Sequence, residues 1–273
     1  MARSIDPALK AVRGFVPARN DEERYLMRHI EDLARTASSR GIARYSGFLS
    51  DREQQLAQAA LNRTDMPEDE IRFDGGWPGA ERKLLCLEPV DSYPASPLCC
   101  VRLQCRALPG AQLPVHKDYL GSLMGLELRR EALGDIVLPE DQLGVAYVFA
   151  LEPAAELICQ ELRQAGHTDL TAEMQPLETL PAFPQAERPR QTATVSSLRL
   201  DAVLAAMLRC SRGMAAELVT AGRVEINHLP AESVHAPVYE DDVFTVRGKG
   251  RFQLTALPGK SKKDRLIIEY FQY

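Results

Sequence analysis

Seven basic side chains between Arg199 and Arg251 have the chemistry to hold anions: Arg199, Arg209, Arg212, Arg223, Arg247, Lys249 and Arg251. Guanidinium groups make charge-assisted hydrogen bonds to phosphate oxygens, and Ser211, just before Arg212, stands where a helix N-cap belongs. Unpaired backbone N–H groups at a helix start add a partial positive charge, so Ser211-Arg212 forms a phosphate seat. Asn227 follows the same run. A different constellation, His116-Lys117-Asp118, places a histidine beside a carboxylate, the pairing that moves protons. Asp118 also reads as a helix N-cap, and no serine, cysteine or second carboxylate is paired with it, so the triplet is read first as a structural cap with loop packing, and a secondary phosphate or partner contact through His116 and Lys117 is the alternative.

The basic set needs a frame. Leu200, Val203, Leu204, Met207 and Leu208 fall at i, i+3, i+4, i+7 and i+8, which predicts an amphipathic helix. A second short helix carries Leu218 and Val219 inward and ends at Gly222. Val224 and Ile226 alternate with Glu225 and Asn227 as a strand, and another strand runs from Val243 to Arg247. The turn Arg247-Gly248-Lys249-Gly250-Arg251 lets backbone approach a sugar-phosphate chain, and Phe252 to Leu254 continues beyond it. Helix, helix, strand, loop, strand, turn, strand make a small basic-edged module for anions such as nucleic acid.

The run RLD, then SR, then GRVEIN, then DDVFTVRGKGRF resembles the RNA-binding S4 domain, the alpha-L motif. The version ending in VRGKGRF resembles the YlmH family of bacterial S4-domain proteins. The specific match covers about the last quarter of the chain, and Phe48-Leu49, Gly75-Gly76 and Glu81-Arg82 match the family upstream. The resemblance implies that Arg199, Ser211, Arg212, Asn227, Arg247 and Arg251 belong to an RNA-facing motif. Relatives carry a polar or basic pair after Ser-Arg, where this chain has Gly213 and Met214. The Arg-Leu-Asp triplet is also similar to a pseudouridine synthase motif with a catalytic aspartate. Here Asp201 lies in the first turn of a helix, where a carboxylate favours the dipole, and it is read as structural.

Upstream, Leu26, Ile30, Leu33 and Ala37 repeat at helical spacing before Gly41, and Ser50 with Glu53 forms a capping box ahead of Leu56 and Ala60. Short strands at 71–73 and 83–87 flank the loop around Trp77, whose ring packs the loop or stacks on a base. From Leu98 to Met174 the order is strand, helix, strand, strand, helix, strand, that of ferredoxin-like and RRM domains. Tyr147 is an aromatic on its third strand, where RRMs stack bases, but the strand from Leu98 to Leu103 carries none, so the order is read as a fold signal and base stacking as the lesser reading. Gln175 to Thr194, interrupted by Pro176, Pro181, Pro184 and Pro189, reads as an extended semi-rigid linker. The expected fold is α+β in four pieces: a mainly helical 1–75, an RRM-like 76–175, a linker 176–195 and an S4-type domain 196–273. The basic turn Gly259 to Arg265, with Lys262 and Lys263, adds a further candidate RNA contact.

The chain has 273 residues and a net charge of −5. From Val195 onward there are 11 Lys and Arg against 9 Asp and Glu, and before it 22 against 29. Only the C-terminal piece is basic, and modestly so, which suits a docking surface better than a general polycation. Six cysteines show no CxxC pair and no histidine at metal spacing, so reduced thiols are expected and neither metal nor cofactor is implied. No apolar run spans a bilayer, Met1-Ala2-Arg3-Ser4 leads into no signal-peptide core, and a cytoplasmic protein is expected.

These residues imply a non-enzymatic RNA binder with no small-molecule substrate. Family resemblance implies ribosomal RNA of the large subunit and tRNA as partners, in rescue or quality control of stalled translation. Two alternatives remain: an RNA-modifying enzyme targeted by the S4 domain, and a cell-division accessory protein.

Overall fold

A computed structural model describes residues 16–106, 112–183 and 189–273. Pro184 and Met1-Ala2-Arg3-Ser4 lie outside the described residues. The described residues divide into two compact units, one ending at 183 and the other beginning at 189.

In the first unit, α1 (Asp21–Arg40) opens on Asn20, whose side chain accepts from Glu23 N–H at 2.8 Å. It ends at Gly41, φ 61°, a left-handed conformation that glycine adopts without strain. α2 (Asp51–Leu61) begins at the expected box, where the Glu53 carboxylate accepts from the Ser50 N–H and hydroxyl, both at 2.7 Å. Both helices cover one face of an antiparallel sheet ordered β1 (Arg44–Leu49), β3 (Lys83–Leu87), β2 (Ile71–Asp74). Period-two alternation splits the central strand: Leu85 and Leu87 face the helices, Leu84 and Cys86 the opposite side. A boundary at 75/76 therefore falls inside this sheet. The N-terminal layer, two helices on a three-stranded sheet, runs to Leu87.

A five-stranded sheet follows, with β4 (Leu98–Cys105), β5 (Leu133–Val137), β6 (Val145–Leu151), β7 (Gln164–Ala165) and β8 (Thr168–Gln175) in the order β5-β6-β4-β8-β7. Its four main strands have the expected split βαβ arrangement. α3 (His116–Met124) and α4 (Glu152–Glu161) pack one face through Tyr119, Leu123, Ala155 and Ile158. Asp118 is not the N-cap: it lies in the first turn and accepts from Val115 N–H at 2.9 Å.

The other sheet face is covered, which corrects the base-stacking expectation. Tyr147 is 4% exposed and shares a core with Leu98, Cys100 and Phe149, and with Phe48, Leu84 and Cys86 of the N-terminal sheet. Phe183 fills that core with its ring 5.0 Å from Tyr147, 5.6 Å from Trp77 and 6.3 Å from Phe149. Trp77 therefore packs its own loop. Arg82 clamps the layers, donating to the carbonyls of Leu133 (2.9 Å), Phe48 (2.9 Å) and Arg130 (3.0 Å). A Cβ on Gly75 would meet that of Ala80 at 2.3 Å, so the Gly75-Gly76 loop needs its glycines to close.

The second unit is a six-stranded antiparallel sheet with two helices. In chain order these are β9 (Gln191–Val195), α5 (Leu200–Met207), α6 (Arg212–Thr220), β10 (Val224–Ile226), β11 (Leu229–Pro230), β12 (Val243–Val246), β13 (Gly250–Lys260) and β14 (Leu266–Gln272). Strand order is β11-β10-β12-β13-β14-β9. The expected stripe is buried at Leu200, Val203, Leu204 and Met207, against Phe244, Leu254 and Tyr270. The linker reading is corrected at both ends. Leu177, Leu180 and Phe183 pack on the first unit's core, while Gln191–Val195 is an edge strand paired with β14 from Tyr270 to Leu266.

Candidate nucleic-acid interface

Arg199 sits at the entrance of α5 in extended conformation, and the segment from Ser233 to Val238 crosses that entrance. The Leu200 N–H donates to Ala236 O at 2.9 Å and the Asp201 N–H to Val234 O at 3.1 Å. With those otherwise unpaired N–H groups satisfied by the crossing chain, the Asp201 side chain turns to arginines. Its Oδ1 accepts from Arg199 Nε at 3.2 Å, and its Oδ2 from Arg199 Nη2 at 3.2 Å and Arg212 Nη2 at 2.5 Å. The carboxylate is 7% exposed, whereas Arg199 and Arg212 remain 41% and 51% exposed. Burial alone would raise the Asp201 pKa; hydrogen bonds from Arg212 and Arg199 outweigh it and hold the group below its ordinary 3.8. His235 completes the cluster, its Nδ1 touching Arg199 Nη2 and lying 4.0 Å from Asp201 Oδ2. Ser211 caps α6 as expected, accepting from Met214 N–H at 3.2 Å.

A second group forms where α6 ends. Gly222, φ 65°, closes the helix and delivers Arg223 to β10. Arg247 N–H donates to Arg223 O at 2.9 Å and Arg223 Nη2 returns a bond to Arg247 O at 3.3 Å. Gly248 and Gly250, φ 79° and 111°, shape the turn and leave Arg247 and Lys249 exposed. Arg251 lies on β13 with its guanidinium 4.5 Å from the centre of the Tyr273 ring.

Six of the expected residues lie apart from these two groups. Asn227 does not face outward: it is 9% exposed, donates from Nδ2 to Asp242 Oδ1 at 2.7 Å and accepts from Val243 N–H at 2.8 Å. At φ 48° its backbone is left-handed, which asparagine tolerates, and both ends of its amide hold the turn after β10. Lys262 and Lys263 are exposed in the β13–β14 turn, but the pairing Phe252 with Gln272 and Lys260 with Leu266 sets that turn at the opposite end of β13 from Lys249. Arg209, φ 51°, leans toward β9 through Gln191 Oε1 at 3.4 Å. His116 and Lys117 are exposed on the first turn of α3, in the other unit, and Asp118 is turned onto the backbone rather than paired with His116.

Sequence reasoning missed His235 and the partnership of Asp201. No periodicity links His235 to Arg199, thirty-six residues before it, and the Asp201–Arg212 contact joins the starts of two different helices. Among the described residues no group of His, Cys, Asp or Glu is arranged to hold a metal ion. All six cysteines are free, and burial pushes the Cys86 and Cys100 thiols up to about 12.

The S4 domain family model matches residues 198–244, the span that holds the paired helices α5 and α6, the Asp201 cluster and the strand that follows Arg223. Over 92% of its length the chain is 33% identical to the ribosome-associated protein quality control protein P2 of Bacillus subtilis (strain 168), covering 95% of that protein. The chain belongs to that protein's family, the YlmH family. A solved structure described as cell division protein ylmH from Streptococcus pneumoniae aligns with 61% of this chain and 99% of its own, at 13% identity and a TM-score of 0.46.

Proposed function

We propose that this protein binds structured RNA without altering it, docking through its S4 domain on ribosomal RNA of the large subunit carrying peptidyl-tRNA, in rescue or quality control of stalled translation. The observation that carries this reading is the pair Arg199 and Arg212, tethered by one buried carboxylate with both guanidinium groups still open to a ligand. The name of the Bacillus relative, ribosome-associated and assigned to quality control, supports the cellular setting. Phosphate contacts and shape supply the binding: the candidate residues are Arg199, Arg209, Ser211, Arg212, Arg223, Arg247, Lys249 and Arg251, with Lys262 and Lys263 as a separate outlying contact.

The S4 domain match and the Bacillus relative's name, a quality control protein, support a non-catalytic role. No described helix is long and apolar enough to cross a membrane, and a cytoplasmic setting follows from ribosomes as partner.

The test is co-sedimentation of the full chain with purified large subunits across a salt series. Replacing Arg199, Arg212 and Arg251 together by Ala weakens binding and flattens its log–log salt slope, by roughly one unit for each phosphate interaction removed. Wild-type binding by the triple variant overturns the assignment.

A further inference from the structure

We infer that Asp201 is a positioning residue for RNA binding: its carboxylate fixes Arg199 and Arg212 as one pre-set pair, although its own negative charge opposes the phosphates. The inference rests on the RNA-binding reading above and adds to it a residue whose charge has the wrong sign for direct contact. Three observations support it.

First, Asp201 is not needed to cap its own helix, since Val234 O and Ala236 O take the first two N–H groups of α5. Second, the carboxylate reaches arginines from the starts of two different helices, bonding Arg199 through Nε and Nη2 and Arg212 through Nη2. Third, burial is one-sided. The carboxylate is covered while both guanidinium groups stay about half exposed.

An arginine offers five N–H donors in a rigid fork, so engaging one or two of them on Asp201 leaves others for a phosphate. A free surface arginine loses rotamer freedom when it binds. One already held by a buried acceptor loses less, which is how pre-organisation raises affinity. His235 also meets Arg199 at Nη2, so that head group is held by two partners. With two guanidinium groups around one carboxylate the cluster keeps a net positive charge and still attracts phosphate.

The decisive feature of the test is that charge and geometry predict opposite signs. Asp201→Asn makes the domain one unit more positive, which by electrostatics alone tightens RNA binding. If Asp201 positions the arginines, the same variant binds large subunits roughly tenfold more weakly, the effect of removing about one charge-assisted hydrogen bond, and its salt slope falls by roughly one unit. Asp241→Asn is the charge-matched control, an exposed residue at φ 66° where asparagine is well tolerated, and it leaves binding unchanged or slightly tighter.

A structural role alone does not move the side-chain signals of the arginines. On the full chain, the Nε–H resonance of Arg199 is expected to be sharp in the wild type and to broaden in Asp201→Asn. If Asp201→Asn melts below the binding temperature, Arg199→Lys with Arg212→Lys keeps the charge, removes the planar forks and weakens binding several-fold. Equal or tighter binding by Asp201→Asn, an unchanged Arg199 resonance, or wild-type binding by the lysine pair overturns the inference. Wild-type binding by the triple alanine variant instead overturns the RNA-binding reading itself, whatever Asp201→Asn does.

Discussion

The Phe183 ring meets that of Tyr147 edge-on, with centroids 5.0 Å apart and planes inclined at 61°. That packing closes the sheet face on which an RRM would stack bases, and it recruits a residue from the segment expected to be an extended, semi-rigid linker. The middle domain thus has the strand order of an RNA binder and the packing of a structural core.

Phe183→Ala empties this aromatic core and is expected to destabilise the first unit by about 3–5 kcal/mol, the usual cost of removing a buried phenyl ring. Trp77 is the sole tryptophan and lies 5.6 Å from Phe183, so its fluorescence reports the change in a urea titration. Ribosome binding by the folded fraction is expected to be unchanged.

Asn227→Ala separates a turn pin from an RNA-facing group. Removing the amide leaves the buried Val243 N–H without its 2.8 Å side-chain acceptor and Asp242 without its 2.7 Å donor. Stability of the second unit is expected to fall by about 1–3 kcal/mol, read by chemical denaturation. The salt slope of RNA binding stays at the wild-type value, whereas removal of a phosphate-binding side chain lowers it.

Arg82 bonds three backbone carbonyls in two layers of the first unit. Arg82→Ala leaves all three without this donor, and a cost of roughly 2–3 kcal/mol is expected from removing charged hydrogen bonds at a partly buried site. A lysine, with no fork, restores little of it. Urea midpoints of the three proteins check this.

Acid sensitivity follows from Glu23 and Asp201. Burial opposes the charge on Glu23, but the Arg52 guanidinium, at 2.9 Å, and the Arg19 N–H hold its pKa below the ordinary 4.5. A carboxyl depressed in the folded state contributes stability that is fully present above its unfolded pKa and is lost as pH falls through the folded one. Denaturant titrations from neutral pH downward are expected to show the first unit weakening below about 4.5. Glu23→Gln should be less stable at neutral pH and flatter across that window. Asp201 gives the second unit the same sign of dependence, beginning lower, below its ordinary 3.8.

What the sequence by itself determined was local: the buried stripe of α5, the Ser211 cap, the Ser50–Glu53 box, the βαββαβ order, and the ordered run from Arg199 to Arg251 that marks the S4 domain. Each is a pattern of neighbours on one helix turn, one strand or one hairpin, where a fixed period ties residue type to direction. Tertiary structure decided which way the polar groups point and which faces are shared. Asn227 fits the motif but turns inward, because Asp242 and Val243 arrive from the far side of a loop. Asp201 looks like an ordinary helix-start carboxylate until the crossing chain takes its helix's N–H groups and α6 brings Arg212 to it. Lys262 looks adjacent to the glycine turn until the eleven-residue β13 carries it to the opposite end of the sheet. Local periodicity encodes burial. Side-chain partnership across a loop or between layers depends on residues far apart in the chain, and no short-range spacing carries that information.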